Sequence, residues 1–256
     1  MKTLFNLFAL LFIISASFGQ GQREYYQLKH YILKTEQQEK VVDEYLEKAY
    51  LPALHKAGIN DIGVFKPIKN ESDTLKSIYV LIPYSSLDQF VGLEAKLDND
   101  KKYQKAGSDY INATHDNLPY LRIKSTLMKA FEGMLKHQVP TFESAKKDRV
   151  YELRSYESGT EKLFHNKVHM FNIGGEIDLF DKLGFNAVFY SEVISGANMP
   201  NLIYMTSFSD MASRDSHWKT FGESPEWGEM KVKPIYQNNM NKLDKFLLYP
   251  TDYSDY

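Results

Sequence analysis

The feature that most constrains the fold of this 256-residue chain is an internal repeat. Tyr26 begins the run Tyr-Gln-Leu-Lys-His-Tyr, and Tyr151 begins the similar run Tyr-Glu-Leu-Arg-Ser-Tyr, so the offset is 125 (151 − 26). The dipeptide Ile-Tyr recurs at the same offset, starting at Ile78 and at Ile203. Matches at one nearly constant offset argue for the duplication of about half the chain. The sequence therefore predicts two similar folding units.

Each half of the sequence predicts the element order strand, helix, strand, strand, helix, strand. Alternating apolar residues from Val150 to Tyr156 are typical of a strand that opens a unit. A capping box at Thr35 and Gln38 indicates the start of the first long helix, and a second box at Ser158 indicates the start of its counterpart. This order is the split βαβ plan. We therefore predict an α+β fold of two tandem ferredoxin-like units.

Changes in composition set the predicted domain boundaries. The first unit covers residues 20–128, and the second covers residues 149–249. Residues 129–148 are rich in Lys, contain Pro140 and are predicted to be a linker. Residues 250–256 are predicted to be a polar tail.

The first 19 residues have the composition of a secretory signal peptide. Lys2 supplies a positive charge, residues 4–14 are almost entirely apolar, and Ser17 and Gly19 are the small residues of a cleavage site. The sequence therefore predicts an exported protein, either periplasmic or secreted. No second apolar run is long enough to span a membrane, so we expect no membrane span in the mature chain.

Composition excludes several classes of function. The chain has no Cys, which excludes disulfides, thiolate metal sites and a Cys nucleophile. The formal net charge of −2 gives no reason to expect a nucleic-acid partner. The sequence contains no nucleophile elbow, phosphate-binding Gly loop or dinucleotide fingerprint. We predict neither a bound cofactor nor a metal ion.

The second half of the chain, residues 149–248, resembles the NIPSNAP family. The residues that carry the resemblance are Val150–Tyr156, Gly184-Phe185, Ile203-Tyr204-Met205, Ser207–Asp215 with His217-Trp218, and Ser224-Pro225-Glu226-Trp227. The first half is a weaker copy, in which Lys29 replaces the Arg. The resemblance implies a dimeric α/β-barrel fold, in which two ferredoxin-like sheets close into one barrel. It leaves open whether the barrel closes within one chain or in a homodimer.

The resemblance implies no catalytic residues, because the family has no established catalytic set. Its eukaryotic members are mitochondrial proteins linked to trafficking and organelle quality control. The predicted signal peptide argues against that role for this chain, which is similar to a bacterial exported member.

Alternation along the two opening strands suggests a small-molecule pocket. We expect the apolar pair Tyr151 and Leu153 to pack under helices, which would turn the intervening polar residues into the barrel. With His217, which could border a pocket, the predicted pocket residues are Lys29, Tyr31, Glu152, Arg154, Tyr156 and His217. Arg154 and Lys29 could bind the acid group of a ligand. The alternative is that Glu152 and Arg154 are a buried pair that satisfy each other.

Two further groups of residues carry weaker signals. His165 and His169 have a spacing that can hold a metal ion, but no third ligand follows, so a solvated helix flank is the better interpretation. Trp218 could stack on a flat ligand, although a core cluster with Phe221 and Trp227 is favoured.

These observations support two hypotheses about function. The first is non-catalytic binding of a small molecule or a protein partner. The alternative is an enzyme, either a cofactor-independent monooxygenase or a haem-handling protein, since related dimeric α/β barrels include both. Haem would need a His that faces a pocket, and the alternation places His30 under the helices.

Overall fold

The computed structural model describes residues 21–69 and 74–256, so the predicted signal peptide lies outside the described residues. Eight strands form one closed barrel. The strands are β1 (Tyr25–Leu33), β2 (Gly63–Pro67), β3 (Lys76–Tyr84), β4 (Arg122–Ala130), β5 (Val150–Glu157), β6 (Asn186–Ser195), β7 (Asn201–Phe208) and β8 (Lys242–Pro250).

The strand order around the barrel shows the duplication directly. The order β1-β3-β2-β8-β5-β7-β6-β4 contains two sheets, and each has its first strand between its third and its fourth. This is the strand order of a ferredoxin-like unit. The two sheets join where β2 pairs with β8 and where β4 pairs with β6, and all these pairs are antiparallel. The predicted fold is confirmed, and the barrel closes within one chain.

Ten α-helices lie within the described residues, on the outside of the barrel. They are α1 (Glu36–Tyr45), α2 (Leu51–Lys56), α3 (Leu87–Val91), α4 (Leu93–Asp98), α5 (Lys101–Ala106), α6 (Ser108–Ile111), α7 (Glu161–Asn172), α8 (Glu176–Lys182), α9 (Met211–Glu223) and α10 (Pro225–Lys231). Short 3₁₀ turns cover Lys146–Asp148 and Pro234–Tyr236. None of the described helices is long and apolar enough to cross a membrane.

The first predicted capping box is confirmed at the start of α1. The Thr35 hydroxyl accepts from the backbone N–H of Gln38 at 3.1 Å, and the Gln38 side chain accepts from the backbone N–H of Lys34. The second long helix has its N-cap two residues later than predicted and has no capping box. Thr160 is the cap of α7, while the Ser158 hydroxyl donates to the Asn239 carbonyl.

Pro52 does not end the helical segment that begins with α1. A π-helical turn over Leu46–Tyr50 follows α1, and Pro52 lies in the first turn of α2. A proline is tolerated there because its missing N–H and fixed φ suit a helix start. The helix ends at Lys56, just before Gly58 at φ +80°.

Both faces of the opening strands β1 and β5 are buried or half-buried, but against different partners. One face packs under helices in each half, and the other lines the barrel interior. The predicted assignment of the faces is wrong. Tyr151 and Leu153 point into the barrel, whereas Glu152, Arg154 and Tyr156 lie under α9 and α7.

The last seven residues are not a polar tail. Tyr256 is 2% exposed, and its ring packs in the barrel interior against Phe65 and Tyr151 at centroid distances of 5.4 and 5.9 Å. The Ser254 hydroxyl accepts from the backbone N–H of Val64 at 2.9 Å, so this segment also covers the start of β2. The predicted linker is partly structured, since β4 extends to Ala130.

Candidate small-molecule site

Equivalent positions on β1 and β5 carry a basic residue that faces the helices. Arg154 on β5 lies beside Glu152, which is fully buried. Glu152 Oε1 accepts from Arg154 Nε at 2.6 Å, and its Oε2 accepts from Arg214 Nε at 2.6 Å and from the Trp218 indole at 2.8 Å. The Arg154 guanidinium lies 3.5 Å from the Trp218 ring centroid. The second unit therefore satisfies its own buried carboxylate.

Two arginines stabilise the ionised form of the buried Glu152 carboxylate. Burial acts to raise the pKa of Glu152, but hydrogen bonds and charge from Arg214 and Arg154 hold that pKa below its usual value. Arg154 also donates to the Tyr156 hydroxyl at 3.0 Å, and Tyr156 and Tyr204 share a hydrogen bond at 2.8 Å. Three of the predicted pocket residues thus form one closed network, as the alternative interpretation holds.

The first unit lacks this compensation at Lys29. Its Nζ lies 4.7 Å from the Tyr50 ring centroid and 5.5 Å from that of Tyr31. Among the described residues, no hydrogen-bond acceptor or carboxylate is paired with that ammonium group. Burial lowers the pKa of Lys29 to about 8, because the charged form loses its hydration.

Gln27 stands where the second unit has Glu152. Its Oε1 accepts from the Tyr84 hydroxyl at 3.0 Å, and its Nε2 donates to Ser125 Oγ at 2.8 Å. Gln27 therefore brings no negative charge to Lys29. The covering helices differ as well, because the continuous helix α9 supplies Arg214 and Trp218, whereas the first unit has two short helices separated at Gly92.

A cavity of about 520 Å³ lies over Lys29, between the sheet and the helices of the first unit. Its lining comprises Gln27, Lys29, Tyr45, Tyr50, Tyr84, Phe90, Val91, Leu93, Glu94, Leu97, Asp98 and Tyr103. Four of these residues are tyrosines, and the Tyr45 and Tyr103 hydroxyls share a hydrogen bond at 2.9 Å. Glu94 and Asp98 are exposed on α4 and form an acidic rim. We call this space the Lys29 cavity.

Tyr31 lies beside the cavity rather than in its lining. Its side chain is fully buried and its ring contacts Tyr110 and Tyr120 edge-on, at 6.5 and 6.1 Å. Burial, together with the neighbouring tyrosine hydroxyls, raises the pKa of Tyr31 well above its usual value. Tyr31 therefore stays neutral and contacts Lys29 through its ring.

The predicted histidines lie away from the Lys29 cavity. His217 lies on α9 and packs against Phe185 and Phe208. Its Nδ1 is hydrogen bonded to the Ser213 carbonyl at 2.7 Å. His165 and His169 are exposed on α7. Across residues 21–69 and 74–256, no group of three His, Asp or Glu side chains could hold a metal ion.

His30 lies on the opposite face from the one predicted. It points into the barrel interior with Tyr26 and Leu28, and its ring stacks on Tyr79 at 4.2 Å. The prediction failed because both faces of β1 are buried or half-buried, so alternation does not show which face lies under the helices. Its Nε2 is hydrogen bonded to Ser77 Oγ at 2.9 Å. The imidazole is therefore partnered and stacked, an arrangement that does not fit axial ligation of a haem.

Local sequence patterns did not indicate most residues of the cavity lining. Tyr50 and Tyr103 come from helices that pack over β1, so only the folded chain brings them to Lys29. Tyr103 and Trp227 lie at nearly the offset of the repeat (227 − 103 = 124), so the repeat could have paired their surroundings. Glu94 and Asp98, one helical turn apart, resemble an ordinary solvated face.

The profile of the NIPSNAP family matches residues 151–255. These residues form a NIPSNAP domain. The match begins at the start of β5 and includes the Glu152 network and the buried C-terminal segment. The Lys29 cavity lies in the other half of the barrel, in the unit that the profile does not match.

Solved structures similar to the whole barrel carry low sequence identity. A candidate monooxygenase from Fusobacterium nucleatum subsp. nucleatum superposes with a TM-score of 0.57 at 9% identity, covering 89% of this chain and 92% of that one. One from Lactobacillus acidophilus NCFM gives 0.55 at 7% identity, with coverages of 89% and 94%. An anthrone oxidase-like protein gives 0.50 at 11% identity, with coverages of 91% and 93%.

At these identities the likeness shows the fold alone, which is a dimeric α/β barrel to which each unit supplies one sheet. The NIPSNAP domain and its preceding unit together span almost the full length of each of these proteins. No curated protein sequence has significant similarity to the chain.

Proposed function

We propose that this protein binds a small aromatic carboxylic acid in the Lys29 cavity, without catalysing a reaction. The observation that carries the proposal is the ammonium group of Lys29, which has no acceptor or carboxylate partner within residues 21–69 and 74–256 and lies in a tyrosine-lined cavity of about 520 Å³. A buried positive charge without a partner is costly, and a ligand carboxylate would compensate for it. The carboxylate would take the place that Glu152 fills in the NIPSNAP domain.

The rest of the lining narrows the ligand class. Tyr45, Tyr50 and Tyr84 present ring surface that suits a flat apolar body. Glu94 and Asp98 at the exposed rim would repel a second negative charge and accept hydrogen bonds from a phenol or an amine. The preferred ligand is therefore an aromatic monoacid with a donor group at its far end.

Isothermal titration calorimetry with 4-hydroxyphenylacetate tests this proposal. The neutral amide 4-hydroxyphenylacetamide has nearly the same shape and should bind at least about tenfold more weakly, because a charge-assisted hydrogen bond is lost. Phenylacetate, which lacks the far-end donor, should bind with intermediate affinity. A panel of benzoates and 3-phenylpropanoates extends the search to other lengths.

Variants at Lys29 separate this cavity from nonspecific binding. Lys29→Met should weaken the acid at least about tenfold and leave the amide unchanged. Lys34→Met removes an exposed charge just after β1 and should leave both affinities unchanged. Equal binding of acid and amide, or no binding by any acid in the panel, would refute the proposal.

The alternative is an enzyme that oxidises such an aromatic molecule. It is supported by the names of the proteins with similar folds, which are monooxygenase and anthrone oxidase-like. Oxygen uptake and product mass during incubation with the bound acid distinguish the two functions. We expect the acid to be recovered unchanged, and its turnover would favour the enzyme.

We also propose that binding takes place after export, in the periplasm or outside the cell. The composition of residues 1–19 supports this localisation. Fractionation of the producing cells, with detection of the protein in each compartment, tests it. Recovery of full-length protein from the cytoplasm alone would contradict it.

A further inference from the structure

A second cavity, of about 490 Å³, lies at one end of the barrel interior. The rest of the interior is filled by large buried side chains. These include Tyr26, Phe65, Tyr151, Phe189 and Tyr256. The barrel is thus closed at one end, while the other leads into a cavity, which we call the barrel mouth. It lies on the opposite face of the sheet from the Lys29 cavity.

The deep part of the barrel mouth is apolar. Leu28, Leu153 and Ile203 are 7%, 2% and 6% exposed and form its floor. Tyr79 and Phe246 form a wall, with their ring centroids 5.6 Å apart. An eight-stranded barrel is wide enough to hold one small ligand along its axis. This floor therefore suits a narrow apolar group that enters from the end.

His30 contributes a polar but uncharged group to this cavity. Burial and the charge of Lys124 lower the pKa of His30 to about 4, so the imidazole is neutral near pH 7. It shares a hydrogen bond with Ser77 and stacks on Tyr79. The charge of the barrel mouth is therefore set by its rim.

The rim carries one ion-paired lysine and a second lysine, Lys124. Its charged lining residues are Lys124, Lys242 and Asp244. Lys242 pairs with Asp244 at 2.6 Å and with Glu157 at 2.9 Å. Lys124 is exposed and forms no ion pair within the described part of the chain. Neutral polar groups of Ser155, Asn198 and others complete the rim.

We propose that the barrel mouth is a second binding site, for a carboxylate carried on an aliphatic chain. The chain lies in the barrel over Leu28, Leu153 and Ile203, and the carboxylate meets Lys124 at the rim. An apolar floor with Lys124 at the entrance, unpaired among the described residues, matches a molecule with one negative end. This inference does not depend on the Lys29 cavity or its ligand.

Titrations with hexanoate, octanoate and decanoate test the predicted chain position. Each added methylene should raise affinity about three- to fourfold until the floor is filled, since each buries apolar surface. Octanamide, which is neutral, should bind more weakly than octanoate. Affinities that are independent of chain length, or equal for octanoate and octanamide, would overturn the proposal.

Three variants locate the site. Lys124→Glu reverses an exposed charge and should weaken octanoate roughly tenfold. Lys245→Glu makes the same change on the outer face of β8 and should have no effect. Ser155→Phe should block the cavity and abolish binding. Its folding is checked by circular dichroism, and Lys124→Glu keeps the proposal testable if Ser155→Phe does not fold.

Lys29→Met separates the two cavities. It should leave octanoate affinity unchanged, whether or not aromatic acids bind. If octanoate binding is lost in Lys29→Met and retained in Lys124→Glu, the aliphatic acid occupies the Lys29 cavity and the inference is wrong.

Discussion

At the scale of single residues, the difference between Glu152 and Gln27 decides whether the neighbouring basic residue, Arg154 or Lys29, has a charged partner. Both are basic groups that face the helices from equivalent strands. Arg154 has Glu152 beside it at 2.6 Å, whereas Lys29 has the neutral Gln27. An uncompensated charge under a helix layer destabilises the fold, and it is also the group that a ligand can satisfy. Stability and binding should therefore respond in opposite directions at Lys29.

We expect Lys29→Met to stabilise the protein by about 1–3 kcal/mol at pH 7, the scale set by the shift in the pKa of Lys29. The folded-state pKa is about 8 and the usual value is 10.5. Below pH 8 the full cost of the buried charge is present. Between about pH 8 and 10.5 only the unfolded chain keeps the proton, so the wild type gains stability as pH rises.

Urea unfolding of both proteins at several pH values measures this difference. The advantage of Lys29→Met should shrink as pH rises from 8 towards 10.5. Lys34→Met, the matched surface control, should match the wild type throughout. A Lys29→Met protein that is less stable at pH 7 would show that the ammonium group is already satisfied.

The affinity for an aromatic acid should depend on the same proton. The carboxylate binds the charged form of Lys29, so affinity should fall as pH rises above about 8. Calorimetry with 4-hydroxyphenylacetate across this range measures the effect. It should be absent in Lys29→Met, and a pH-independent affinity in the wild type would exclude Lys29 as the acid-binding group.

At the scale of elements, the two units differ in the helix that covers the basic residue. In the NIPSNAP domain, α9 extends over 13 residues and places Arg214 and Trp218 on Glu152. In the first unit, α3 and α4 are separated at Gly92 and leave the cavity. The repeat therefore keeps the same strand pattern but not the same helix cover.

Gln27→Glu should convert the first unit towards the arrangement of the second. The new carboxylate can still accept from the Tyr84 hydroxyl and should pair with Lys29, as Glu152 pairs with Arg154. It would then compete with a ligand acid and weaken its binding at least about tenfold. Calorimetry measures the loss, with Gln27→Met as the uncharged control. Unchanged affinity would place the acid elsewhere.

The sequence predicted the elements well and the faces poorly. The repeat and the capping residues located the strands and most helices. Alternation could not tell the two faces of β1 and β5 apart, because both faces of these strands are buried or half-buried. Tyr151 and Leu153 fill the interior, while Glu152 is satisfied by side chains some 60 residues further along the chain. Local sequence patterns do not reveal such long-range pairing. Of the residues that line the Lys29 cavity, the predicted pocket set therefore includes only Lys29.

At the scale of the whole molecule, the C-terminal segment helps to close the barrel. Tyr256 packs between Phe65 of β2 and Tyr151 of β5, across the β2–β8 seam. Tyr256→Ala should destabilise the fold by about 3–5 kcal/mol, as expected for a large buried aromatic residue. Its hydroxyl has no hydrogen-bond partner among the described residues. Tyr256→Phe should therefore cost less than about 1 kcal/mol.

Thermal and urea unfolding of these two variants measure the contribution of the ring. If Tyr256→Ala is as stable as the wild type, the segment does not hold the seam. A large loss in Tyr256→Phe would mean instead that the hydroxyl has a partner in solution.

The closure of the barrel within one chain has a consequence for the isolated halves. The seams are the β2–β8 pairing, with three registered residue pairs, and the β4–β6 pairing. A fragment of residues 149–256 would lose both partners and expose the inner face of its sheet, including Tyr151 and Leu248. Unpaired strand edges and an exposed apolar face favour association with a second copy.

We therefore expect the 149–256 fragment to form a homodimer in which β6 of each copy pairs with β8 of the other. Two copies joined in this way rebuild an eight-stranded barrel, because each fragment supplies one four-stranded sheet. Light scattering with size-exclusion chromatography measures the mass, and hydrogen exchange should show protected amides on both edge strands. A folded fragment that stays monomeric would show that the NIPSNAP domain can satisfy its own edges, and that the first unit is needed for its cavity rather than for closure.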